Sequence, residues 1–146
     1  MEIAMVVAPM SQTNLNLAAQ IGVSGVVGRY PGPRPEDMFR LRDRLVEYGL
    51  KLSVIEGYCK HGDIVRGGPH RDQEIAGMRR LIKHMEAAQV PILCYHFMPD
   101  EDWLRTSIDT PERGGAQVTA FDAEVLSRVP SLSRDRVSTR ELWDNL

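Results

Sequence analysis

Short apolar runs alternate with amphipathic stretches and turn residues along the first two thirds of the chain. Ile3 to Val7 is a run rich in branched residues, the pattern of a strand covered on both faces. Asn14 to Ile21 sets Leu15, Ala18, Ala19 and Ile21 at helical spacing, and Gly22 stops that helix. Ser24 to Gly28 reads as a second strand. Pro31, Pro33 and Pro35 then make a stiff turn, with Pro35 suited to the first turn of the next helix, where its missing N–H has no intrahelical partner to lose. That helix places Met38, Leu41, Leu45 and Tyr48 on one face and stops at Gly49. Lys51 to Ile55 is the third strand, and Glu56 to Pro69 reads as a polar, glycine-bearing loop. The clearest helix follows, with Ile75, Met78, Leu81, Ile82 and Met85 in one stripe; Pro91 to Phe97 is the fourth strand.

Four strand–helix alternations with continuously apolar strands predict an α/β fold, a parallel sheet with helices packed on it. The C-terminus carries a capping box, Ser138-Thr139-Arg140-Glu141, with Leu142, Trp143 and Leu146 behind it. It announces a helix that has room for only about two turns, where an isolated helix needs ~12 residues or more. A TIM-type (β/α)8 barrel takes ~250 residues. The expectation for 146 residues is therefore one domain, 1–146, made of about four β/α units, a parallel half of such a barrel that ends inside a helix.

Composition narrows the partners. The 18 basic and 20 acidic residues are mixed along the chain, for a net charge of −2, and no basic stripe suited to nucleic acid stands out. The apolar runs are strand-sized, well short of the ~20 residues of a membrane span. The N-terminus lacks the basic start and small-residue cleavage site of a signal peptide. Cys59 and Cys94 cannot by themselves build a disulfide framework or a four-ligand zinc site. Cytoplasm is the expected location.

Parallel α/β folds bind ligands at the carboxyl ends of their strands, so those positions are where chemistry is expected. They hold Arg29 after the second strand, Glu56 after the third, and Tyr95 and His96 in the fourth; the loops behind add His61, Asp63, Trp103 and Arg105. Each has a plainer explanation: Glu56 as a surface acid beside Lys60, His61 and Asp63 as a solvated pair, His96 as a core histidine, Trp103 as a packing cap, Arg105 as a partner of Asp100 or Asp102. Both cysteines read as unreactive, with Cys94 in a buried strand. His61, Asp63, His96 and Glu56 lack the spacing that would make a metal site specific. Gly67-Gly68-Pro69 lacks the Lys-Ser/Thr of a P-loop, and no GxSxG elbow is present.

The stretch CYHFMPDEDWLRT, residues 94–106, resembles the Cys-Tyr-Asn-Phe-Met-Pro and Asp-Trp-x-Arg-Thr segment of the mannonate dehydratase family. In the same order, GVSGVV, LSVIEG, HGDI, GGPHRDQEI, RGGAQVTAFD and ELWDNL resemble further segments of that family, nearly the whole chain but only the first half of a full-length member. The resemblance implies a (β/α)8 barrel that uses a divalent metal, most often Mn2+, to dehydrate D-mannonate to 2-keto-3-deoxy-D-gluconate in hexuronate breakdown. By position it implies that Glu56, His61, Tyr95, His96, Trp103 and Arg105 contact substrate, with Arg105 on the carboxylate. His96 stands where the family has asparagine, which bears on substrate choice. The catalytic base is unassigned, and the family's metal ligands are expected outside this chain. Two alternatives stay open: a TIM-barrel isomerase or epimerase acting on another sugar or sugar acid, and a non-catalytic half-barrel. The uncovered edges of a half-barrel predict a homo-oligomer or a second half-barrel as partner.

Overall fold

The computed structural model of the chain describes residues 2–57, 59–99, 104–128 and 137–146. Four strands, β1 (Ala4–Val6), β2 (Gly25–Gly28), β3 (Lys51–Glu56) and β4 (Ile92–Cys94), form one sheet in the order β1-β2-β3-β4, and every neighbouring pair is parallel. Helices α1 (Gln12–Gln20), α2 (Pro35–Val46), α3 (Gly62–Arg66) and α4 (Arg71–Ala87) fill the crossovers. This is the α/β half-barrel pattern expected from the alternation of strands and helices.

Local chemistry sets the helix ends. Ser11 caps α1, its hydroxyl accepting from Asn14 N at 3.1 Å, and Gly22 (φ 85°) takes the left-handed turn after the helix. Pro35 opens α2 as expected, while the Asp37 carboxylate reaches back to accept from Arg34 N at 3.2 Å. The arginine beside it holds the Asp37 carboxyl below its ordinary value, first through the Arg34 side-chain hydrogen bond.

Register separates the two faces of the sheet. Val26, Leu52 and Ile55 are fully buried together with Leu15, Met38, Leu45, Leu81 and Met85 of the helices, and this layer is the core. The opposite, concave face carries a row in register across all four strands: Val6 against Val27, Val27 against Val54, Val54 against Ile92. Val6 is 41% and Ile92 52% exposed, so the chain's own described residues leave this row uncovered at both edges. Two residues further along the same face, Glu56 pairs with Cys94.

Three expectations need correction. The loop from Glu56 to Pro69 contains α3, a single turn held by a side chain from α4 described below. The fourth strand is three residues rather than seven, because its partner among the described residues, β3, ends at Glu56 and Gly57 (φ 89°) turns the chain away. Cys94 is exposed rather than buried, since it lies on the uncovered concave face. The stretch after β4 also forms an antiparallel hairpin, β5 (Ser107–Pro111) and β6 (Gln117–Ala120), before α5 (Ala123–Ser127) and α6 (Thr139–Asn145). Gly114 and Gly115, both at positive φ, make its turn.

The C-terminal helix forms as its sequence announces. Ser138 Oγ accepts from Glu141 N, and the Glu141 carboxylate accepts from Ser138 N at 2.7 Å. It docks on α3, where Asn145 Nδ2 donates to Val65 O at 3.1 Å and Arg71 donates to Asn145 O at 3.3 Å.

Candidate active site

The carboxyl ends of β2, β3 and β4 surround an open cleft of about 630 Å3 lined by Arg29, Glu56, Gly57, Cys94, Tyr95, His96 and Met98. Each lining residue arrives there because its strand stops. Arg29 follows the last residue of β2, Glu56 ends β3, and Tyr95 and His96 follow the last residue of β4. An Arg29 guanidinium nitrogen lies 3.1 Å from Glu56 Oε2, with the arginine side chain 64% and the glutamate 38% exposed. At that exposure the pair contributes at most ~1 kcal/mol. Glu56 thus has an arginine partner across the cleft rather than Lys60 on the surface; the Lys60 amino group lies 3.9 Å from Glu74 instead.

His61 enters from the side. It is the residue immediately before α3, and its ring meets the His96 ring edge to face at 5.3 Å between centroids and 81° between planes. Both histidines also border an apolar groove of about 320 Å3 with Ile82, Leu93, Phe97 and Leu146. α3 is fixed by Glu74 of α4, a buried side chain whose carboxylate accepts from Asp63 N at 2.7 Å and Ile64 N at 3.0 Å. Asp63 is occupied as well. Its carboxylate accepts from the backbone N–H of His70 at 2.8 Å and meets His70 Nδ1 at 2.9 Å, and these bonds, the backbone one foremost, hold its carboxyl below the ordinary value. Asp63 pairs with His70 and ties α3 to the start of α4, rather than pairing with His61.

The structure therefore gathers Glu56, Tyr95 and His96 in one cleft with His61 against His96. Arg105 lies at the start of the hairpin, its guanidinium donating to Thr119 Oγ1 at 3.2 Å and to Leu104 O at 2.9 Å, and it is not among the residues lining the cleft. Trp103, with the Asp100 and Asp102 considered as partners of Arg105, falls outside the described residues. In the sequence Arg29 stands out only as a strand-end residue. Its place after a buried strand was the available signal, and its pairing with Glu56 required the register. Cys59 sits apart beside Gly77, and burial pushes its thiol up, which keeps it protonated at neutral pH.

Among the described residues, no three His, Cys, Asp or Glu side chains converge as a metal site would require. Glu56 is turned to Arg29, and the two histidine rings meet edge to face. The donor set of the described residues does not by itself fit a divalent metal. No helix among these residues is long and apolar enough to cross a membrane.

Parallel strands whose carboxyl ends present acid, arginine, phenol and imidazole groups into one cleft define half of a β/α barrel with a polar cleft at its strand ends. The chain belongs to the D-mannonate dehydratase (UxuA) family, whose model matches residues 5–142. A mannonate dehydratase of Thermotoga maritima is 33% identical over 140 residues, 86% of this chain and 39% of that protein. Mannonate dehydratase 2 of Halalkalibacterium halodurans is 27% identical over 171 aligned positions, 94% of this chain and 49% of that one. The crystal structure of mannonate dehydratase from Streptococcus suis serotype 2 superposes with a TM-score of 0.83 at 30% identity, over 99% of this chain and 47% of that chain. The chain thus spans about half the length of these relatives, or less.

Proposed function

We propose that this chain forms the substrate-contacting part of a hydro-lyase site that removes water from D-mannonate to give 2-keto-3-deoxy-D-gluconate. One observation carries the reading: in a member of this family, Glu56, Tyr95 and His96 converge with Arg29 in a single cleft at the carboxyl ends of the parallel strands.

The reaction removes the proton at C2, breaks the C3–O bond and releases the hydroxyl as water; the resulting enol takes up a proton at C3 and becomes the 2-keto acid. The C2 proton is weakly acidic, so charge developing toward the carboxylate needs cationic stabilisation. In the proposed site the Tyr95 hydroxyl and His96 imidazole hydrogen-bond sugar hydroxyls, Glu56 accepts from another, and His61 backs the His96 ring. Trp103 and Arg105, on the segment after β4, complete the set. The reading includes a divalent metal, Mn2+ favoured, held by groups other than those described here, and no step is derived through it. It also includes a cytoplasmic location and a covering partner for the concave row, either a second copy or a second half-barrel. The exposure of Val6 and Ile92 at the two sheet edges supports that partner.

The test is an NMR titration of the purified chain with D-mannonate, beside a turnover assay with Mn2+ that follows the 2-keto-3-deoxy product. Shifts centred on Glu56, Tyr95 and His96 are expected. A folded sample in which those resonances stay fixed at saturating D-mannonate, with no product formed, refutes the reading.

A further inference from the structure

We infer that Arg29 is the carboxylate anchor of this cleft and the residue that selects a sugar acid over a neutral sugar. The inference rests on the proposed function and adds to it the group that holds the acid end of the substrate.

Three observations carry it. Arg29 is the arginine that lines the cleft together with Tyr95 and His96, whereas the Arg105 guanidinium is engaged with Thr119 and Leu104 on the hairpin. The Arg29 side chain is 64% exposed, and its ion-pair partner among the described residues is the half-exposed Glu56, so a carboxylate ligand meets it without breaking a buried network. Gly57 at φ 89° sits beneath it, where an added Cβ would stand 3.9 Å from Arg29 Cδ. That is ordinary van der Waals distance, so the arginine stem lies against the turn at the end of β3.

The chemistry suits the task. A guanidinium is planar and always charged, and presents paired N–H groups at the spacing of the two carboxylate oxygens. Glu56 already occupies that fork with one oxygen, at 3.1 Å. A ligand carboxylate replaces Glu56 on Arg29 and leaves the Glu56 oxygens to accept from the hydroxyls of the same ligand. The arginine trades one carboxylate for another, the site gains the ligand's one negative charge, and the displaced Glu56 carboxylate is compensated by the ligand hydroxyls that donate to it. A neutral sugar alcohol offers nothing to drive the exchange, so it meets a cleft in which the ion pair stays closed.

The experiment compares D-mannonate with the neutral alcohol D-mannitol by NMR titration of the wild-type chain and of the Arg29→Gln, Arg29→Lys and Arg105→Gln variants. Expected are D-mannonate affinity about tenfold weaker in Arg29→Gln, partial recovery in Arg29→Lys, and no comparable loss of D-mannitol binding in either. Far-UV circular dichroism reports whether each variant is folded, and the exposed position of Arg29 makes unfolding by these changes unexpected. Wild-type binding of D-mannonate that Arg29→Gln leaves intact, or that only Arg105→Gln weakens, overturns the inference while the proposed function stands. Equal losses for mannonate and mannitol in Arg29→Gln overturn it too, because the residue would then act on the shape of the cleft rather than on charge. Absence of mannonate binding by the folded wild-type chain overturns both.

Discussion

Replacing Glu74 tests how the position of His61 is held. Glu74 lies on α4, is 6% exposed, and supplies one carboxylate oxygen to two backbone amides at the start of α3, Asp63 N at 2.7 Å and Ile64 N at 3.0 Å. Hydrogen bonds to a charged group each contribute ~1.5–3 kcal/mol. Glu74→Ala removes both, offset in part by rehydration of the amides and by no longer burying a charge, for a net loss of ~3 kcal/mol. The Lys60 contact adds little, because that amino group is 3.9 Å away on a side chain 79% exposed. Glu74→Gln keeps a carbonyl oxygen of the same shape but loses the charge, for ~1 kcal/mol. In a chain of this size ~3 kcal/mol lowers Tm by ~6–12 °C. The assay is urea unfolding followed by far-UV circular dichroism, with the His61 and His96 ring resonances as a local readout. Glu74→Ala should also displace the His61 ring from His96. An Ala variant within ~0.5 kcal/mol of wild type, or a Gln variant as unstable as the Ala variant, would refute the staple and its dependence on charge.

Three further outcomes are expected. The Asp63 carboxyl is held below its ordinary value of 3.8, so its stabilising contribution is present above pH 3.8 and is lost as pH falls through the lower folded value; Asp63→Asn should flatten the fall in urea midpoint below pH 3.8, and an unchanged acid limb would remove that role. Ser138→Ala should cost ~1 kcal/mol at the start of α6 and speed hydrogen exchange at the Glu141 amide, the donor to Ser138 Oγ. A Cβ at Gly28 would stand 2.8 Å from Leu52 Cδ1 and 3.0 Å from Leu41 Cδ2, so Gly28→Ala should destabilise by ~1–3 kcal/mol; a urea midpoint equal to wild type would mean that the two leucines give way.

The chain pattern determined the parallel half-barrel and much of its layout. Apolar runs at Ile3–Val7, Ser24–Gly28 and Lys51–Ile55 fall on β1, β2 and β3, and Leu15, Leu45, Leu81 and Met85 are buried where helical spacing put them. Such signals are local, since a side chain's face follows from its place in a period of 2 or 3.6. α6 was legible for the same reason, because a capping box lies within four residues. Strand ends were legible as positions, which is why Glu56, Tyr95 and His96 could be singled out. Their company was decided by tertiary structure. The Arg29–Glu56 pair joins residues 27 apart in sequence through the β2–β3 register, and His61 meets His96 because Glu74 holds α3 from another helix. The length of β4 followed from where its neighbour ends, and the exposure of Cys94 from an uncovered face. The hairpin had a readable signal in Gly114-Gly115 between β-branched residues, yet its antiparallel pairing depends on contacts six to thirteen residues apart. Periodicity is a property of neighbours along the chain and can be read from them. Pairing, exposure and the composition of a cleft are properties of distant segments, and folding alone brings those together.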